Sequence, residues 1–216
     1  MKYGLVGASG KMGKEIQVVF DEAKHSCVYT YDVEGETKID APELLVDFSL
    51  PVVLPKTLEL VHAFKVPLVV GSTGFTPEQL SQLQELGKEY AVVQSYNYSV
   101  GIQLLLQCIE KVKGQVDGWD IEITETHHRF KKDKPSGTAI MMKQALGKDV
   151  PVSSLRLGGV TGEHNIFFGG LGETLTLSHT ALSRRTFAEG VLKSAEFAIK
   201  KQSGFYSFRD VMTQSV

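Results

Sequence analysis

The length, composition and charge of the chain restrict its function before any motif is considered. With 216 residues, of which 42% are hydrophobic, the chain can bury a core without disulfides or structural metal ions. Its 23 basic and 25 acidic residues give a formal net charge of -2. No overall basic field attracts nucleic acid or an anionic membrane, so neither partner is expected.

The cysteines and the first residues indicate the cellular compartment. Cys27 and Cys108 are the only cysteines, and their wide separation is not that of a zinc site or a disulfide framework. The chain passes from Met1 directly into an apolar stretch, without a charged leader or a run long enough to span a bilayer. We therefore expect a protein of the reducing cytoplasm.

The first 98 residues alternate short apolar runs with longer amphipathic stretches. The runs that resemble buried strands are residues 2–6, 27–31, 44–48, 66–70 and 90–94. Between the first two runs, apolar residues recur at helical spacing: Met12, Ile16, Val19, Phe20 and Ala23. Pro77 is expected to open another helix at its first turn. This alternation predicts an α/β domain with a parallel sheet.

The pattern changes after Asn97. A helix is predicted at residues 100–112, followed by a strand at residues 120–126 in which apolar and polar residues alternate. Such alternation is typical of a sheet with one buried face. Further strands are predicted at residues 153–157, 165–168 and 173–179, and the last predicted element is a helix at residues 187–201. The middle of the chain therefore forms a separate domain that contains its own sheet.

A glycine-rich turn follows the first predicted strand, and the first helix begins within it. A helix N-terminus offers unpaired N–H groups and the positive end of its dipole, and glycines let a pyrophosphate approach the backbone. Asp32, at the end of the second strand, completes the usual context of a dinucleotide site. The predicted cofactor contacts in this region are Gly7, Ala8, Ser9, Gly10, Lys11, Met12, Gly13 and Asp32.

Asp32 also bears on which dinucleotide is bound. A carboxylate at this position would accept hydrogen bonds from the ribose hydroxyls and repel a 2′-phosphate, which favours NADH. Lys11 would instead suit a 2′-phosphate, so NADPH stays open. Residues after two later strands are predicted to face the nicotinamide half, although ordinary turns would explain each segment alone. These residues are Gly71, Ser72, Thr73, Ser95, Tyr96, Asn97 and Tyr98.

Residues 125–139 combine two histidines with a cluster of lysine and arginine side chains. The segment leads to a predicted helix at residues 140–146, for which Ser136 is a suitable N-cap. A helix start and nearby cations suit a substrate that carries carboxylates, although a solvated basic loop is the alternative interpretation. No metal is expected at His127 and His128, because neighbours on an extended segment point to opposite sides.

The chain resembles the 4-hydroxy-tetrahydrodipicolinate reductase family, also called dihydrodipicolinate reductase, of the diaminopimelate route to lysine. The glycine turn resembles the nucleotide turn of the family, and residues 125–139 fit its pattern E-x-H-H-x-x-K-x-D-x-P-S-G-T-A. Residues 162–164 and 184–190 resemble its C-terminal portion. The segment between Asp32 and Leu44 is shorter than in many members of the family.

The resemblance implies a fold and a set of roles. The fold is a Rossmann-like dinucleotide-binding domain with a parallel sheet at residues 1–98 and 185–216, joined to an α+β domain with a mixed sheet at residues 99–184. The second domain is expected to bind a small dicarboxylate substrate and to form a homotetramer. His127 is implied to be the acid/base residue and Lys131 a second proton donor. The implied substrate contacts are His128, Gly137 and Thr138.

The implied reaction uses NADH or NADPH and no metal. Hydride adds to the dehydrated substrate and produces tetrahydrodipicolinate. Two alternatives are another NAD(P)-dependent reductase of similar architecture, such as an amino-acid dehydrogenase, and a non-catalytic dinucleotide sensor.

Overall fold

The computed structural model describes residues 1–214, which form two compact units. The first unit consists of Met1–Tyr98 and the C-terminal segment from Phe187, and the second of Ser99–Thr186. This boundary lies two residues after the predicted one at 184/185. No helix among residues 1–214 is long and apolar enough to cross a membrane.

The strands and helices follow one another along both units. The strands are β1 (Lys2–Val6), β2 (Ser26–Asp32), β3 (Gly35–Lys38), β4 (Leu44–Asp47), β5 (Leu68–Val70), β6 (Ala91–Gln94), β7 (Asp120–His127), β8 (Val152–Arg156), β9 (Glu163–Gly169), β10 (Thr174–Thr180) and β11 (Gly204–Tyr206). The helices are α1 (Lys11–Glu22), α2 (Leu54–Phe64), α3 (Pro77–Leu86), α4 (Val100–Val112), α5 (Gly137–Leu146), α6 (Arg185–Ala198) and α7 (Phe208–Gln214), with a short 3₁₀ turn at Pro51–Val53.

The sheet of the first unit has the strand order β11-β6-β5-β4-β1-β2-β3. Its paired strands are parallel, except that β3 runs antiparallel to β2. Alternate residues of β1 enter two cores: Tyr3 and Leu5 pack with α1, α6 and α7, whereas Val6 packs with α2 and α3. Helices therefore cover both faces, and full burial of each large apolar side chain stabilises the unit by roughly 1.5–3 kcal/mol. This confirms the predicted Rossmann-like architecture.

The structure corrects the sequence prediction at the C-terminus. The helix predicted at residues 187–201 is not the last element, because β11 and α7 follow it. Phe208 and Val211 of α7 are buried in the first core, and β11 pairs with β6. With three and seven residues, these elements are too short to show a clear period in the sequence.

The shortened segment after Asp32 forms the exposed strand β3.

The second unit contains a mixed sheet of strand order β10-β9-β7-β8, in which only β7 and β8 are parallel. Ile121 and Ile123 of β7 pack in one core with residues of α4 and α5. The residues that alternate with them, Glu122 and Thr124, lie on the less buried face. The alternation in the sequence therefore correctly predicted a half-buried strand, which ends at His127.

Candidate active site

The glycine turn joins β1 to α1. Gly7 has a φ of +87°, a left-handed conformation that glycine adopts without strain, and its N–H donates to the Tyr31 carbonyl at 2.9 Å. A Cβ at Gly13 would lie 2.2 Å from the Gly7 carbonyl oxygen, so the tight turn excludes any larger residue there. Gly10 caps α1 without a side chain, which leaves room for a ligand at the helix N-terminus.

A cavity of about 360 Å³ lies beside this turn. Its walls include Gly7, Ser9, Gly10 and Asp32 together with apolar residues such as Phe48. The Ser9 N–H donates to the Asp32 carboxylate at 2.6 Å, and this hydrogen bond lowers the pKa of Asp32. Asp32 therefore places a fixed negative charge in a cavity whose glycine wall would admit a pyrophosphate, as a dinucleotide site requires.

The predicted cofactor contacts that follow β5 and β6 differ in how accessible their side chains are. Thr73 is exposed and Tyr96 is partly exposed. The Ser72 side chain is buried and donates to Asp47 at 3.1 Å. The Tyr98 side chain is only 2% exposed, and its hydroxyl donates to the Val70 carbonyl at 2.8 Å.

The side chains of Ser72 and Tyr98 are therefore held inside the first unit, and contact of these two residues with a cofactor stays a prediction. For the other residues of the two segments, contact with a cofactor likewise stays a prediction. Gly71 packs against the ring of Phe48, where a Cβ would lie 2.1 Å from a ring carbon. Ser95 and Asn97 are mostly buried and bond to each other, since the Ser95 hydroxyl donates to the Asn97 carbonyl at 2.8 Å.

In the second unit, the end of β7 places a carboxylate and an imidazole on the same buried side. Glu125 and His127 are two residues apart on a strand, and their side chains share one face. His127 Nδ1 is hydrogen-bonded to the Glu125 carboxylate. Arg156, at the end of β8, donates to the two carboxylate oxygens of Glu125 at 2.8 and 3.0 Å.

The charges of this cluster follow from burial and hydrogen bonding. Burial alone would raise the pKa of Glu125, but the hydrogen bonds from Arg156, Ser154 and His127 outweigh it and lower the pKa to about 2. Burial lowers the pKa of His127 below its ordinary value, against the opposing effect of Glu125, and the positive charge of Lys131 lowers it further. Glu125 is therefore ionised and His127 is mostly neutral at pH 7.

The Glu125 hydrogen bond determines which nitrogen of His127 can exchange a proton. A carboxylate at Nδ1 keeps the proton of the neutral ring on that atom, so Nε2 is the atom that gains and loses a proton. Gly162 lies against Nε2, where an added Cβ would be 3.2 Å away. The neighbouring ring of His164 is buried, and burial lowers its pKa to about 3, so it is neutral. The two ring centroids are 5.0 Å apart.

Two of the three predicted substrate contacts, Gly137 and Thr138, lie at the start of α5. Ser136 caps this helix, because its hydroxyl accepts from the Ala139 N–H at 3.3 Å. The Ser136 N–H donates to Glu125 at 3.3 Å, which ties the helix start to the same carboxylate that holds His127. Gly137 and Thr138 are the first two residues of the helix. This geometry brings the predicted anion-binding turn next to the predicted proton donor.

The loop before α5 carries Lys131. Its ammonium forms an ion pair with Asp133 at 2.9 Å, and the side chain is about a quarter exposed. The loop is held by Arg156, whose Nε donates to the Lys131 carbonyl at 3.2 Å. His128 follows His127 and lies beyond the end of β7. Among residues 1–214, no group of three or more His, Cys, Asp and Glu side chains is placed to hold a metal ion.

Sequence reasoning assigned no role to Glu125, Arg156 or His164. The spacing of Glu125 and His127 on an alternating strand was a usable signal, since it places both on one face. The other two residues are on β8 and β9, and their approach depends on strand register, which pairs Arg156 with His127 and His164 with Glu125.

Both units of the chain match known protein families and curated proteins. The family model described as "Dihydrodipicolinate reductase, N-terminus" matches residues 1–98, and the one described as "Dihydrodipicolinate reductase, C-terminus" matches residues 101–212. The 4-hydroxy-tetrahydrodipicolinate reductase of Thermosipho africanus is 46% identical over 215 residues, covering 100% of this chain and 99% of that protein. The enzyme of the same name from Bdellovibrio bacteriovorus is 37% identical over 222 residues, covering 98% of this chain and 96% of that protein.

Solved structures support the fold. The dipicolinate-bound dihydrodipicolinate reductase from Paenisporosarcina sp. TG-14 has a TM-score of 0.77 and 24% identity, with 97% of this chain and 98% of that chain covered. The aspartate dehydrogenase from Thermotoga maritima has a lower TM-score of 0.53 and 12% identity, with 94% of this chain and 97% of that chain covered. At these identities the likeness concerns the fold alone.

Proposed function

The chain belongs to the dihydrodipicolinate reductase family and is a reductase of diaminopimelate and lysine biosynthesis, and on that premise we propose which of its residues carry the reaction. It reduces 4-hydroxy-tetrahydrodipicolinate, through the dehydrated form, to tetrahydrodipicolinate with NADH or NADPH. His127 supplies the proton that completes the reduction. The observation that supports this role is the hydrogen bond between His127 Nδ1 and the buried, ionised Glu125.

The first unit binds the dinucleotide. The backbone of Gly7, Gly10 and Gly13 would hold the pyrophosphate at the start of α1, and Asp32 would accept hydrogen bonds from the ribose. The bound cofactor supplies a hydride, while the protein provides position and charge. The Asp32 carboxylate disfavours a 2′-phosphate because two negative charges would meet in one cavity.

Asp32→Asn tests this assignment of cofactor preference. The amide oxygen can still accept from the Ser9 N–H, but the negative charge is removed. We expect the ratio of the dissociation constant of NADPH to that of NADH to fall by roughly 10-fold or more. Fluorescence titration with both cofactors measures the ratio, and Glu34→Gln, an exposed neighbouring acid outside the cavity wall, is the control. An unchanged ratio would remove Asp32 from cofactor selection.

The second unit binds the substrate and protonates it. After hydride addition to the conjugated substrate, the displaced electron pair is neutralised by a proton from Nε2 of protonated His127. Glu125 fixes the orientation of the ring and stabilises its charged form through Nδ1. The substrate carboxylates favour protonation of His127, because opposite charges nearby stabilise the imidazolium.

Lys131 and the start of α5 bind the anionic parts of the substrate. The ammonium of Lys131 stabilises negative charge that develops during the reaction and acts as a second proton donor. The backbone of Gly137 and Thr138, at the positive end of the helix dipole, suits a carboxylate, with His128 as a further contact. Dipicolinate, the ligand named for the related structure, is itself a dicarboxylate of this kind.

Gly162→Ala tests whether Nε2 of His127 is the reacting atom. The new methyl group would lie 3.2 Å from Nε2 and 3.6 Å from a carbon of His164, so it crowds the place where the substrate must approach. We expect kcat/KM to fall about 10-fold, because small displacements of reacting groups are costly. Gly159→Ala is the matched control, since nothing lies within 4 Å of its Cβ. Equal activity of the two variants would place the reacting atom elsewhere.

We also propose that the enzyme is a homotetramer assembled through the second unit. The sheet of this unit exposes apolar side chains, among them Leu155 and Phe167, that a subunit interface would cover. Sedimentation at the mass of four chains would support this assembly, and a monomer would contradict it.

NADH oxidation with the condensation product of aspartate semialdehyde and pyruvate tests the function as a whole. We expect sustained turnover that depends on both ligands. A dinucleotide sensor would bind NADH without turnover. An amino-acid dehydrogenase would act on amino acids and not on this product.

A further inference from the structure

We infer that Arg156 is a positioning residue for the reaction, holding His127 through Glu125 and holding Lys131 through its main chain. The inference rests on the proposed function, because it concerns the two residues assigned to proton transfer and charge stabilisation there. It gives a role to a residue that touches neither of the reacting groups directly.

Arg156 reaches His127 through a buried carboxylate. Strand register places it opposite His127, and its guanidinium donates to both oxygens of Glu125. Glu125 is fully buried, so Arg156 is the cation that compensates its charge, and the paired hydrogen bonds fix the plane of the carboxylate. The plane of the carboxylate in turn sets the direction of the His127 ring.

The same guanidinium reaches the loop that carries Lys131. Its Nε donates to the Lys131 carbonyl at 3.2 Å, and its Nη2, which also donates to Glu125, donates to the Asp133 carbonyl. Asp133 forms the ion pair with the Lys131 ammonium, so both ends of this pair are anchored to Arg156 through the backbone. One planar group therefore sets the spacing of His127 and Lys131, which a lysine cannot reproduce because it lacks the fixed fork of donors.

The inference predicts a change in pH dependence as well as in rate. The charged and titratable groups that face Glu125 are His127 on its own strand, Arg156 on β8 and His164 on β9. The charge of Lys131 acts on His127. When Arg156 is removed, burial raises the pKa of Glu125, so the carboxyl becomes protonated as the pH falls through the assay range. A protonated Glu125 no longer stabilises the imidazolium, and activity is lost on the acidic side.

The experiment compares Arg156→Lys and Arg156→Met with Arg209→Lys, an exposed arginine of α7 in the first unit. We expect kcat of both Arg156 variants to fall about 10²-fold, with unchanged binding of NADH and an unchanged rate in the control. The Arg156→Met variant should gain an acidic limb in the pH profile of kcat. Rates are expressed per NADH-binding site, so that loss of folded protein does not imitate loss of catalysis.

A double variant separates positioning from general stabilisation. If Arg156 acts through Glu125, the double variant Glu125→Gln/Arg156→Met should have a kcat no lower than that of the less active single variant. The acidic limb of its pH profile should disappear, because the glutamine does not titrate. The inference is overturned if Arg156→Met keeps wild-type kcat per binding site, or if its pH profile equals that of the wild type. Retained turnover in His127→Ala would instead refute the proposed proton donor, whatever Arg156 does.

Discussion

The variant His127→Ala is expected to lower kcat by about 10²- to 10⁴-fold, the usual contribution of a positioned general acid. Binding of NADH should not change, because the glycine turn and Asp32 belong to the first unit. Steady-state rates with the condensation product, together with a separate NADH titration, measure the two effects. Wild-type turnover in this variant would remove His127 from the mechanism.

The control for His127→Ala is His62→Ala. His62 is an exposed histidine of α2, distant in sequence from the second unit, and we expect its replacement to leave kcat unchanged. Glu125→Gln gives an intermediate case, because an amide can still bond to the ring but no longer stabilises its positive charge. Its kcat should lie between those of the wild type and His127→Ala.

Lys131→Ala has the second large effect. We expect kcat/KM to fall about 10²-fold or more, since a cation aimed at developing negative charge contributes at about this level. The adjacent Lys132 is exposed and provides the matched control, for which we expect little change. Equal losses in the two variants would mean that general positive charge, and not the placement of Lys131, assists the reaction.

Lys131→Ala should also shift the titration of His127. The positive charge of Lys131 lowers the pKa of His127, so its removal should raise that pKa. The fall of kcat/KM with rising pH should then occur at higher pH than in the wild type. A downward shift would contradict the placement of Lys131 beside His127.

Local sequence signals predicted most of the fold. The helix at residues 100–112 and the strand that ends near His127 were found because apolar residues recur with a clear period. Pro77 and Ser136 marked helix starts correctly, because their chemistry is decided within one turn. The elements β11 and α7 were missed because they are short and owe their stability to packing in the first unit.

The site was less predictable where it depends on distant residues. The sequence placed Glu125 and His127 on one strand, but it did not show that Arg156, 31 residues away, completes the pair. It also suggested Tyr98 for the cofactor, but it did not show that the ring of this residue packs in the core. Both outcomes depend on strand register and burial, which a single sequence does not encode in a short motif.

The most direct test of the account is the pH dependence of kcat/KM in the wild type and in His127→Ala. This parameter reports the free enzyme, in which burial lowers the pKa of His127, and only the protonated ring carries a proton on Nε2. We predict that wild-type kcat/KM falls as the pH rises through a pKa below the ordinary histidine value, and that this limb is absent in His127→Ala. The same limb in both proteins would contradict the claim that His127 donates the proton.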